Sequence, residues 1–119
     1  MDEAINEKLE ELAMLIIANS GAARSAAFEA LEQAKKGNSE SADKLLKSAG
    51  ESLQEAHEAH RCLLQMDAAG QVPQMSVLLC HAQDHLMGSA LAQDLIQEMI
   101  TLHQALKPPA QGQAQDRGI

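Results

Sequence analysis

Two clusters of helix-breaking residues, Gly37-Asn38 and Gly70-Gln71-Val72-Pro73, divide this chain into three long segments. Each segment is rich in Ala, Leu, Gln, Glu and Met, the residues with the strongest intrinsic helix propensity. The pattern predicts helices over residues 2–36, from a cap at Ser39 or Ser41 to residue 69, and over residues 74–106. Lys35 and Lys36 fill the last turn before Gly37, and Pro108-Pro109 forbids the third helix to continue. Gly21, Gly50 and Gly88 fall inside these helices and each costs about 1 kcal/mol relative to Ala, so a kink near Gly21 is expected. Residues 108–119 (PPAQGQAQDRGI) carry no periodic pattern and are expected to be a disordered tail behind a single domain spanning 1–107.

The fold class follows from what is missing as well as what is present. Phe28 is the one aromatic residue, whereas sheets draw on aromatic and β-branched side chains. The chain is therefore expected to be all-α. Three helices of about 45 Å joined by short connections give an antiparallel up-down-up three-helix bundle. Such a monomer needs one apolar stripe per helix. On the third segment, Leu78, Leu79, Leu86, Met87, Leu91, Leu95, Ile96, Met99, Ile100 and Leu102 occupy more than one face. A helix that is apolar on several faces must be buried on several faces, and a homo-oligomer is the simplest cover.

The net charge of −8 argues against nucleic acid, which needs a clustered basic footprint. Lys35, Lys36, Lys44 and Lys47 are interleaved with acids and form no stripe. The acidic start MDEAINEKLEE is unlike a signal peptide, and the longest apolar run, residues 13–18, is far short of the roughly 20 residues that span a bilayer. Cys62 and Cys80 form no CxxC motif and read as reduced, half-buried residues of a cytoplasmic protein.

The histidines carry the chemistry. His81 and His85 stand at i and i+4 on the third helix with Asp84 between them, a polar trio in an apolar segment. A zinc-protease helix needs Glu directly after the first His, and residue 82 is Ala. A di-iron bundle needs Glu three residues before His, and none of His57, His60, His81, His85 or His103 has it. One alternative left open is a structural or metal-binding bundle using His57, His60, His81 and His85 as ligands. The other is a nucleophilic imidazole carrying a phosphoryl group, which asks for positioning and charge stabilisation and for no enclosed pocket. Arg24 reads as an intersubunit or intrahelical ion-pair partner rather than a phosphate ligand, and Met87 and Met99 as core or interface residues.

The run Val77-Leu78-Leu79-Cys80-His81-Ala82-Gln83-Asp84-His85-Leu86-Met87 resembles the HAQDHLM signature of the lactose/cellobiose-type enzyme IIA of the bacterial sugar phosphotransferase system. Gly21 through Ser25 resembles that family's G-x-A-R-S segment, and the stretch from Phe28 to Gly37 its E-A-L-x-x-A-K-x-G. Glu55-Ala56-His57 and Glu98-Met99-Ile100 are similar to its second and third helices. Gly88-Ser89 departs from the family, which often has Thr after the Met, as does His60 through Gln65.

The resemblance implies a homotrimer of three-helix subunits, a nine-helix bundle. It implies that His81 is the phosphorylated residue and that Asp84, one from each of three subunits, holds a divalent metal, usually magnesium, at the trimer axis. HPr is the implied phosphoryl donor and a cysteine of enzyme IIB the acceptor, with membrane enzyme IIC moving a lactose-, cellobiose- or chitobiose-type β-disaccharide. His85, on the same side of the helix as His81, is expected to support the phosphohistidine without carrying phosphate.

Overall fold

A computed structural model describes residues 3–107, and the sequence pattern becomes three helices with no strand among the described residues. Helix α1 spans Glu3–Lys35, α2 Ser39–Ala68 and α3 Val77–Leu106. Helix α1 runs unbroken through Gly21. The tail expected over 108–119 lies outside the described residues.

The two turns are built alike. Gly37 and Gly70 adopt φ of +84° and +75°, the left-handed region where a Cβ is strained. At the first, the Asn38 N–H reaches back to Gln33 O at 2.9 Å and the Gly37 N–H to Ala34 O at 3.0 Å. The second repeats this pair with Gln71 on Met66 and Gly70 on Asp67. Both are Schellman stops, which satisfy the last carbonyls of a helix and need a residue that tolerates positive φ. Gly37→Ala is expected to cost about 1–2 kcal/mol, visible as a lower urea midpoint with an unchanged slope.

Two boundaries differ from the sequence expectation. Asn38, not Ser39 or Ser41, occupies the cap position of α2, without a side-chain capping bond. Its Nδ2 donates instead to Gln33 Oε1 at 2.9 Å across the turn. Helix α3 starts three residues later than the apolar pattern suggested, because Ser76 is extended and its Oγ accepts the Leu79 N–H at 3.1 Å.

The core lies in two clusters. Leu9, Leu12 and Ile16 of α1 meet Ala56 and Leu63 of α2 and Leu79 and Leu86 of α3. Toward the other end, Ala27 and Ala30 meet Ala42 and Ala49 together with Ile96 and Ile100. Early α1 residues thus sit with late α2 and early α3 residues, which is the up-down-up arrangement. Alanine dominates the second cluster, where small side chains let backbones approach closely. Buried Ser20, Ser89 and Gln93 lie between the clusters in sequence order on α1 and α3.

Helix α1 packs along both neighbours, while α2 and α3 approach each other at few places. One face of α3 is consequently uncovered. Met87, Leu91, Leu95, Met99 and Leu102 along it are all more than half exposed. Cys62 and Cys80 are exposed as well, not half-buried as expected. Each neighbours a core leucine (Leu63, Leu79), and one residue along a helix is a rotation of about 100°, which carries the thiol off the buried stripe.

Candidate functional site

The site is built on the first turns of α3, held down by Leu79, Ala82 and Leu86 in the core. These three fix the rotation of the helix, so that His81, Asp84 and His85 turn away from the packed face. His81 and Asp84 are exposed and His85 is half-buried. The Nε2 atoms of His81 and His85 are 3.1 Å apart, with ring centroids separated by 4.5 Å and the ring planes 86° apart. One of the two nitrogens therefore carries the shared proton and the other offers its lone pair. Such a pair presents an imidazole nitrogen to solvent on a rigid element, with a second imidazole in reach of any group attached to it.

The pair borders an open groove of about 380 Å³ between α1 and α3, also lined by Arg24, Phe28 and Asp84. Arg24 makes no intrahelical ion pair among the described residues, and its guanidinium lies 5.9 Å from the centre of the Phe28 ring. Its place in the groove was not read from the sequence. The i, i+4 spacing of Arg24 and Phe28 was the available signal.

The four-histidine set does not come together. The His60 Nε2–H donates to Gln83 Oε1 at 3.1 Å, which ties α2 to α3 and engages that ring nitrogen. The same bond engages the side-chain oxygen of Gln83, a signature residue two positions after His81. His57 is half-buried on α2 and His103 is exposed near the end of α3. Among the described residues no three His, Cys, Asp or Glu side chains group around a common metal position. Asp84 is thus one isolated carboxylate per chain, on the uncovered face of α3 one turn before Met87 and Gly88. No helix among the described residues is long and apolar enough to cross a membrane.

Comparison with known proteins agrees with this geometry. The family model described as the PTS system lactose/cellobiose-specific IIA subunit matches residues 11–104. The N,N'-diacetylchitobiose-specific EIIA component of Escherichia coli K12 is 46% identical over 101 residues, covering 85% of this chain and 87% of that protein. The lichenan-specific enzyme IIA component of Bacillus subtilis is 39% identical over 102 residues, covering 86% and 93%. Among solved structures, the cellobiose-specific enzyme IIA of Bacillus anthracis superimposes with a TM-score of 0.79 at 40% identity, covering 89% of this chain and 93% of that one. The chitobiose IIA in its complex with HPr gives a TM-score of 0.74 at 44% identity, covering 84% and 97%. With the signature histidines presented on α3 and likeness of this extent along its length, the chain belongs to the lactose/cellobiose-specific IIA subunits of the sugar phosphotransferase system and is a phosphotransferase component of that system.

Proposed function

We propose that this chain accepts a phosphoryl group from phospho-HPr on His81 and passes it to a cysteine of its cognate enzyme IIB, in the uptake of a β-disaccharide through membrane enzyme IIC. The exposed His81 imidazole, with the His85 ring at 3.1 Å, carries this reading. The chitobiose relative's complex with HPr supports the donor.

The transfer needs little from the protein besides position. A lone pair on a His81 ring nitrogen attacks phosphorus in line, and the bond from phosphorus to the donor breaks with its electron pair leaving on the donor. The adduct adds roughly −1.5 to −2 charges, as other phosphorylated side chains do. On a chain of net charge −8 that charge needs a donor beside it. The His85 N–H, freed from its bond to His81, turns onto a phosphoryl oxygen. His85→Ala is expected to keep the phosphoryl site but slow both uptake and donation by roughly tenfold or more, the value of a hydrogen bond to a charged group. Transfer at wild-type rates would show His85 to be a bystander.

The same proposal includes a homotrimer joined along the uncovered face of α3. Assembly of three copies on that face brings three Asp84 carboxylates together. Their hard oxygen donors suit a divalent cation such as magnesium, whose charge offsets their mutual repulsion. One chain alone supplies a single carboxylate, so the donor set fits a metal only in the assembly. The assembly works from the cytoplasm, where HPr and enzyme IIB reach it.

The test is intact mass after incubation with phosphoenolpyruvate, enzyme I and HPr. One acid-labile phosphoryl group per chain is expected. A chain that stays unmodified while HPr is phosphorylated would overturn the carrier role.

A further inference from the structure

Two imidazoles one helical turn apart, with their Nε2 atoms 3.1 Å from each other, have the spacing of two ligands on one metal ion. We propose that His81 and His85 chelate a borderline divalent transition ion (Cu2+, Ni2+ or Zn2+), and that this chelate shuts the phosphoryl site. The inference rests on the carrier reading for its regulatory half. Its binding half stands on the geometry alone.

The chemistry of the pair selects the ion class. Imidazole nitrogen is a strong ligand for copper, nickel and zinc and a poor one for magnesium or calcium, which take oxygen. Two histidines at i and i+4 on one helix face are a recurrent zinc-binding pair because that spacing points both nitrogens at one position. Here the proton shared between the two rings is all that an incoming ion must displace. The pair opens onto a groove, so water can complete the coordination sphere, and the Asp84 carboxylate lines the same groove. Among the described residues no third protein ligand converges on the position. The site is consequently one of modest affinity that loads and empties with the free ion.

Occupancy and phosphorylation exclude each other. An ion held by both rings takes up the His81 lone pair that must attack phosphorus. It also removes the His85 N–H that would steady the adduct. Conversely, a phosphorylated His81 leaves one ring and forfeits the second ligand, whose attachment was intramolecular and so cost little entropy.

Binding is read first, without any phosphoryl chemistry, by titrating full-length protein with Cu2+ in excess Mg2+ and following the electron paramagnetic resonance of nitrogen-bound copper. One site per chain is expected beyond whatever His57, His60 and His103 take up. It should weaken by roughly tenfold or more in His85→Ala, and equally in His81→Ala. Equal affinity in wild type and both variants would overturn the chelate, whatever becomes of the carrier role. Phosphoryl uptake from preformed phospho-HPr is then measured with Zn2+ or Mg2+ present. Zn2+ is expected to slow the wild type at concentrations that leave the slower His85→Ala variant unchanged relative to its own metal-free rate. Equal fractional inhibition of both would overturn the regulatory half. Zn2+ and Cu2+ are also expected to bind the phosphorylated wild type more weakly than the free form, and undiminished affinity there would contradict mutual exclusion.

Discussion

His81→Ala is expected to take up no phosphoryl group from phospho-HPr, a loss on the order of 10⁴-fold or more, the scale seen when a covalent nucleophile is removed. The reason is the poverty of the groove. Beyond His81 and His85 it is lined by Arg24, which is always charged and has no lone pair to give, the Asp84 carboxylate, the apolar Phe28 and Ala92, Gly88, and Ser89, whose side chain is buried. His85 is the other imidazole of the groove, and it is half-buried where His81 is exposed. The fold should not notice the change. An exposed helical position with no core contact tolerates alanine to within about 0.5 kcal/mol, so circular dichroism and the melting midpoint should match wild type. Intact mass separates the outcomes: a phosphoryl group on His81→Ala would move the carrier site to another residue, and His85 would be the first to examine.

The helices and their breaks were legible because local chemistry decides them. Gly37 and Gly70 were marked as stops by their residue type, and both take the positive φ that only glycine adopts cheaply. What the sequence could not place were features that depend on rotation about a helix axis and on partners distant along the chain. Cys62 and Cys80 each border a core leucine, and a rotation of one residue separates burial from exposure. The bond between His60 and Gln83 joins positions 23 residues apart, and no periodicity announces it. The start of α3 lies at Val77, three residues past the point expected after Pro73, because the Ser76 hydroxyl caps the helix there. His81, Asp84 and His85 were legible for the opposite reason: their relation is local to one turn of one helix, where spacing alone fixes which side chains share a face.

Leu95→Asp is expected to break the assembly, and Asp84→Leu to preserve or tighten it. Both residues lie on the uncovered face of α3, and Leu95 is 54% exposed in the single chain. A charge at 95 therefore costs the isolated bundle almost nothing. In an assembly closed on this face it places an uncompensated carboxylate from each copy in an apolar layer, at about 3–5 kcal/mol for each one. Sedimentation should then find folded monomers at concentrations where the wild type is expected to sediment as the proposed trimer. In the proposed trimer Asp84→Leu works in reverse, since it would remove three carboxylates that repel one another and extend the apolar layer formed by Met87, Leu91 and Leu95. Replacing a buried charge cluster with packed apolar side chains is often neutral or stabilising by about 1–4 kcal/mol. The metal provides the cross-check. If the proposed cation sits between the Asp84 carboxylates, chelation with EDTA should loosen the wild type and leave Asp84→Leu unmoved. If Leu95→Asp stayed assembled, the joint would lie on another face of the bundle. If Asp84→Leu fell to monomers, the metal rather than the leucine and methionine packing would be what holds the copies together.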